Sequence, residues 1–147
     1  MKNLLVRDWM VADVISVGPH EPMLSAHKLM REKNIRRLPV VENNKVVGIM
    51  TRSDVRQAQP SSATTLNVWE MNYLLAKLQV QDVMSKLVIT LSPEDTIRTA
   101  ATLMHENRFG ALPVVDAQGN LVGIITESDI FRILIAWFNE ETGETAA

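Results

Sequence analysis

Two short segments place a hydroxyl and a carboxylate three residues apart: Thr51-Arg52-Ser53-Asp54 and Thr126-Glu127-Ser128-Asp129. Each follows an apolar run, Val47-Gly48-Ile49-Met50 or Val122-Gly123-Ile124-Ile125, and each opens a helical pattern. A Thr-x-x-Asp at such a junction can do two kinds of work. As a capping box, the threonine hydroxyl accepts from the backbone N–H three residues on and the carboxylate returns to the N–H of the threonine. That contributes about 1 kcal/mol and needs no ligand. As a ligand site, the free N–H groups and positive dipole end of the helix suit phosphate, and the hydroxyl adds a hydrogen bond. The carboxylate then accepts from vicinal ribose hydroxyls, at roughly 1.5–3 kcal/mol per charged hydrogen bond. One occurrence favours the cap. Recurrence in the same context, after Leu-Pro-Val-Val and Val-Gly-Ile, favours the ligand.

The context recurs because residues 7–58 are written again at 81–133. Leu38-Pro39-Val40-Val41 returns as Leu112-Pro113-Val114-Val115, and Asp8/Asp82, Met10/Met84, Pro19/Pro93, Ala26/Ala100 and Met30/Met104 match at a shift of 74. After Asn44 the shift is 75, because the turn at Asp116-Ala117-Gln118-Gly119-Asn120 is one residue longer. A duplication on this scale predicts two similar half-units burying their apolar faces against each other.

The elements that must hold the Thr-x-x-Asp segments repeat likewise. Val14–Val17 and Val88–Leu91 read as short strands closed by Pro19 and Pro93. Met23, Ala26, His27 and Met30, and then Ile97, Ala100, Ala101 and Met104, each mark one helical face. Leu38–Val41 with Lys45–Met50, and Leu112–Val115 with Asn120–Ile125, read as hairpins, and final helices begin near Arg52 and Glu127. The expected fold class is α/β: two pseudo-symmetric β-α-β-β-α repeats packed through their sheets, with a helical linker. The expected boundaries are 1–60 for the first repeat, 61–79 for the linker, 80–139 for the second repeat and 140–147 for a flexible tail. In the linker, Asn67 and Glu70 cap a helix with apolar residues on more than one face, which predicts that it packs on the body of the protein. The last helix is apolar nearly all round from Ile130 to Phe138. It is either buried on both sides or meets a second subunit, and the expectation is a homodimer.

Composition narrows the function classes. The 147 residues are 46% hydrophobic and 22% charged, with a net charge of −2. That describes a globular protein of ordinary composition whose overall field favours neither nucleic acid nor an anionic membrane. There is no cysteine, so disulfides, thiolate metal sites and thiol catalysis are excluded, in keeping with a reducing cytoplasm. Charge interrupts the first eight residues too early for a signal peptide, and no apolar run reaches the roughly 20 residues of a membrane helix. A cytoplasmic location without membrane contact is expected.

Taken together, Leu-Pro-Val-Val and Gly-Ile-x-Thr-x-Ser-Asp, both present twice, resemble a tandem pair of CBS domains (a Bateman module) over roughly residues 4–138. Arg7-Asp8-Trp9-Met10 and the linker Ser62–Leu78 are similar to the acetoin-utilisation (AcuB-like) CBS proteins. Here the expectation is a pair without the C-terminal ACT domain that many of those carry. The resemblance implies non-catalytic binding of an adenosine-containing ligand in clefts between the repeats: AMP, ADP or ATP, with S-adenosylmethionine or NAD as further candidates. No cofactor is required. Carried over residue by residue, the first site would use Arg36, Arg37, Thr51 and Asp54, with Thr90 and Thr96 facing the base. The second would use Ala111, Thr126 and Asp129, with Ser16 and Pro22 opposite.

These two sites are not expected to be equal. Arg36-Arg37 correspond to Gly110-Ala111, and Pro22 stands where the second copy has Thr96. Arg37 can supply fixed charge and bidentate phosphate contacts. The Asp54 site is therefore expected to prefer phosphorylated ligands, and the Asp129 site to be weaker or to take a less charged adenosyl compound. Lys28, Arg31, Lys33, Arg36 and Arg37 cluster in sequence; a solvated helix face explains them as well as a ligand does. His20, His27 and His105 lack metal-ligand spacing, and His27 falls on an apolar stripe as a packing or interface histidine. No serine sits in a nucleophile motif and no Walker-type loop is present. No catalytic or metal residue is therefore assigned, and an enzyme acting on nucleotides is disfavoured. The principal rival is a ligand-free interaction or dimerisation module whose Thr-x-x-Asp segments are caps alone. Nucleic-acid binding has only the basic cluster in its favour.

Overall fold

Each Thr-x-x-Asp segment stands at the end of a β-hairpin. Asn43 and Asn44 both adopt left-handed backbone (φ 51° and 66°), the conformation a two-residue hairpin turn requires. They join β1 (Arg37–Glu42) to antiparallel β2 (Lys45–Thr51), with Arg37 opposite Thr51 and Glu42 opposite Lys45. In the second copy β3 (Ala111–Val115) pairs with β4 (Leu121–Thr126), and Ala111 lies opposite Thr126. The extra residue there is absorbed by a turn that Asp116 closes: one carboxylate oxygen accepts from the N–H groups of Gln118 and Asn120, both at 2.9 Å. Both hairpins shift register at the same place, between Val40 and Val41 and between Val114 and Val115.

The computed structural model describes residues 3–60 and 65–143. The described residues fall into two compact units, one within 15–88 and the other made of 3–14 with 89–143. In the first, α1 (Met23–Glu32), α2 (Arg52–Ala58) and α4 (Val80–Val83) bury Met23, Met30, Val55 and Val80 against Leu38, Val40 and Met50 of the hairpin. In the second, α5 (Ile97–Asn107) and α6 (Glu127–Thr142) bury Ile97, Ala100, Met104 and Ile133 against Leu112, Val114 and Ile125. The helical faces expected from the 3.6-residue spacing are the buried ones, except that His27 and Ala101 are only partly covered.

Written repeat and folded unit differ in the opening segment that each holds. Leu4–Val6 lies against the start of α5: Val6 N–H donates to Asp95 O and Ile97 N–H to Leu4 O, both at 2.8 Å. Leu78–Val80 does the same at α1, with Val80 N–H to Glu21 O and Met23 N–H to Leu78 O, both at 2.9 Å. Five residues on, Val11 pairs reciprocally with Ile124, and Ser85 with Ile49. The expected boundary at residue 60 follows the written repeat, whereas the units divide within 14–15 and 88–89.

The expectations for the opening strands and the linker helix are corrected, and one of the two alternatives for the last helix is excluded. Val14–Val17 and Val88–Leu91 form no strands, only single parallel bridges, Val17 to Val40 and Leu91 to Val114. Val17 N–H reaches Pro39 O at 3.1 Å and Val41 N–H reaches Val17 O at 2.8 Å. Pro19, which has no N–H, then stops the ladder, as Pro93 does in the second copy. The linker helix, α3 (Val68–Lys77), has the expected Asn67–Glu70 capping box but no buried residue. It leans on the core through Leu75 alone, and Trp69 is 84% exposed. The last helix is not buried on both sides: Ile130 and Ile133 face the core, while Phe131, Leu134, Ile135 and Phe138 form an exposed stripe. Helix α6 also takes in Glu140–Thr142 of the expected tail before Gly143 ends it in left-handed backbone. Residues 61–64 of the expected linker and 144–147 of the expected tail lie outside the described residues.

The Val-Gly-Ile motif now has a cause. A Cβ at Gly48 would lie 3.0 Å from both Met84 Cγ and Ser85 O, and closer still to the Met84 sulfur. One at Gly123 would meet Met10 Cγ at 3.0 Å and Val11 O at 3.2 Å. Gly48→Ala is expected to destabilise the protein by about 1–3 kcal/mol in urea unfolding. Adding Met84→Ala should cost less than the two changes separately, since the residues touch. Unchanged stability of Gly48→Ala would remove close approach as the reason for glycine.

Candidate functional site

Thr51 ends β2 in extended backbone and begins α2. Its hydroxyl oxygen accepts from Asp54 N–H at 3.1 Å, and its own N–H donates to Asp54 Oδ2 at 2.8 Å. Thr126 and Asp129 repeat the arrangement at 3.4 and 2.9 Å. Both segments are therefore capping boxes, the ligand-free reading of the sequence. A carboxylate offers about four acceptor positions, so a cap leaves capacity for a ligand and the two readings do not exclude each other.

What stands beside each cap differs between the copies. Arg37 is the cross-strand partner of Thr51. Directly opposed side chains in an antiparallel pair lie on one face with Cβ atoms about 4.5–5.5 Å apart. Burial lowers the pKa of Arg37 from its ordinary value, and the Asp54 carboxylate opposes that shift; a guanidinium stays charged under such a push. A cation, a hydroxyl and a carboxylate thus converge at one end of one hairpin. Arg36 stands just outside β1 and is exposed. In the other unit the partner of Thr126 is the buried Ala111.

Asp129 has a different cation, one the sequence reading passed over. Arg132 Nη2 lies 3.0 Å from Asp129 Oδ1 and also donates to Trp9 O at 3.3 Å. Its guanidinium carbon sits 5.6 Å from the centre of the Trp9 ring. The available signal was the i, i+3 spacing of Asp129 and Arg132, together with Gln57 at the matching place in the first copy.

The residues assigned to the base are placed as follows. Thr96 is the N-cap of α5, its hydroxyl accepting from Thr99 N–H at 3.1 Å. Thr90 is partly buried beside Leu91. Pro22 holds the N-cap position of α1 without a side-chain bond, and Ser16 is exposed before Val17. Arg37, Thr51 and Asp54 share a unit with Ser16 and Pro22; Ala111, Thr126 and Asp129 share one with Thr90 and Thr96. Among the described residues, no group of three or more His, Asp or Glu could hold a metal ion, and no helix is long and apolar enough to cross a membrane.

Two hairpin-and-helix units, each with a threonine–aspartate cap, define a class, and the chain belongs to the CBS-domain family, whose domain matches residues 6–61 and again 80–136. The inosine-5'-monophosphate dehydrogenase of Korarchaeum cryptofilum (strain OPF8) is 37% identical over 123 residues, covering 84% of this chain and 23% of that protein. The chain thus spans less than a quarter of that curated relative. Among solved structures, a proposed acetoin utilization protein (AcuB) from Vibrio cholerae is 30% identical, with 98% of each chain covered and a TM-score of 0.78. CBSX2 from Arabidopsis thaliana, solved in complex with AMP, is 28% identical over 90% of this chain and 97% of that one, with a TM-score of 0.76. The CBS domain pair of protein MJ0100, in complex with 5'-methylthioadenosine and S-adenosyl-L-methionine, is 28% identical over 90% and 96%, with a TM-score of 0.72.

Within the basic cluster, Lys28 pairs with Glu32 at 3.8 Å on an exposed face, as a solvated helix surface would. His27 is held below its ordinary pKa of 6.5, first by burial and then by Arg31 and Arg52. The unfolded chain therefore takes up this proton first as pH falls. Stability should decline as pH drops through about 6.5 and level off below the folded value. His27→Gln is expected to flatten that part of a melting-temperature profile, and an unchanged profile would show that other groups cause the decline.

Proposed function

We propose that this CBS pair is a non-catalytic regulatory module that binds adenosine-containing ligands. The observation that carries the reading is the placement of Arg37 directly opposite Thr51, with Asp54 in the cap that Thr51 begins. Arg37 supplies charge for phosphate, Thr51 and the start of α2 supply hydrogen bonds to it, and Asp54 accepts from ribose hydroxyls. The adenine end rests on resemblance and assigns Thr90 and Thr96 to this ligand, and Ser16 and Pro22 to a second ligand at Thr126 and Asp129. Relatives crystallised with AMP and with S-adenosyl-L-methionine and 5'-methylthioadenosine support the ligand class. Binding acts by population shift, favouring whichever arrangement the ligand contacts best. The exposed stripe Phe131, Leu134, Ile135 and Phe138 supports a homodimer with a second copy as its cover. No catalytic residue is assigned, because the carboxylates of both sites are engaged in caps and stand beside no activated nucleophile. The caps and the same stripe also favour a second reading, an interaction module that needs no ligand.

Thermal-shift titration with AMP, ATP and S-adenosylmethionine separates the two. At about a hundred times Kd a ligand should stabilise the fold by roughly 2.7 kcal/mol. Asp54→Ala should remove most of the AMP-dependent rise and Asp129→Ala should reduce it less, each compared with its own ligand-free melt because each loses a cap. No rise with any ligand at millimolar concentration would favour the interaction module.

A further inference from the structure

The Asp129 carboxylate is already occupied by its own chain. Oδ2 accepts from Thr126 N–H at 2.9 Å and from the Thr126 hydroxyl at 3.0 Å, and Oδ1 accepts from Arg132 at 3.0 Å. The residue is only 7% exposed, whereas the Arg132 side chain is 59% exposed. Arg132 is also held by the Trp9 carbonyl, which accepts from the same Nη2, and by the Trp9 ring. In the other folded unit both members of this device are replaced: Gln57 matches Arg132 and Val83 matches Trp9. Neither replacement can supply a guanidinium or an aromatic face. The two copies therefore differ in a pair of residues that act together, independently of the Arg37-to-Ala111 difference.

We propose that Arg132 is a specificity-determining residue that closes the Asp129 site by competing with a ligand's ribose hydroxyls for the carboxylate. The inference rests on the adenosyl-binding reading and adds the residue that makes the second site the weaker one. A hydroxyl pair must displace the guanidinium to reach Oδ1. The displacement is feasible because Arg132 is mostly in solvent, where an ion pair holds only loosely. Trp9 adds a cation–π contact that favours the closed position. A missing arginine opposite Thr126 weakens phosphate binding only, whereas Arg132 acts on the ribose end.

The test uses AMP as the probe in an Asp54→Asn chain, which keeps a cap acceptor in the first copy while removing its charge. Isothermal titration is compared between this chain and the same chain carrying Arg132→Gln, the residue of the first copy. The expected result is an AMP affinity higher by about tenfold, the sum of a half-exposed ion pair and a cation–π contact. The gain should vanish when Asp129→Ala is added, which a general loosening of α6 would not produce. If Arg132→Gln does not fold, Arg132→Lys, which keeps charge but lacks the planar fork, should give a smaller gain in the same direction. Unchanged or weaker AMP binding, with the wild-type Asp54 site binding normally, would overturn the role of Arg132 and leave the adenosyl reading intact. No AMP binding by the wild-type protein or any variant would overturn both.

Discussion

The threonine–aspartate capping box is the constraint on which the strand-to-helix junctions of this protein depend. It sets where β2 and β4 stop and where α2 and α6 start, and it holds a carboxylate at the strand end. Its energy is modest, about 1 kcal/mol, but its geometry is demanding, since both partners must be in place within one turn. Because the helix N-terminus and the carboxylate are locked together, any ligand that uses one meets the other. The close crossing at Gly48 and Gly123 serves the same end. By bringing Met84 and Met10 onto the hairpins, it tucks the opening segment of one written repeat against the strands of the other.

Much of this was legible in the residues. The duplication gave two units, the turn residues gave both hairpins, and the Asn67–Glu70 and Thr-x-x-Asp signatures became capping boxes. These succeed because capping and turn chemistry are local, decided within four residues. What failed was non-local. Val14–Val17 looks like a strand, but its pairing is limited by what Pro39 and Pro19 offer it. Residues 3–14 open the first repeat in sequence but fold with the second, which no local pattern records. Apolar spacing on α3 could not say how much of the helix has a partner, and most of it has none within its unit.

The asymmetry of the two copies was half legible. Arg37 against Ala111 is visible once the repeats are aligned, and the strand register gives it meaning by setting Arg37 against Thr51. Arg132 was passed over because it reads as one polar residue in an apolar helix. Its significance needs Trp9, more than a hundred residues away in sequence. The two copies thus carry different cations beside their cap carboxylates, Arg37 with Asp54 and Arg132 with Asp129, on similar hairpins.

The central claim is that Arg37, Thr51 and Asp54 receive the phosphate and ribose of an adenosyl ligand, and the most direct measurement compares AMP with adenosine. Isothermal titration of both, in the wild-type protein and in Arg37→Ala, isolates the phosphate contact. The expected result is a preference for AMP over adenosine that falls by roughly 10- to 100-fold in the variant, the worth of a charged hydrogen bond, with adenosine binding little changed. An AMP preference that survives Arg37→Ala intact would place the phosphate elsewhere and contradict the claim.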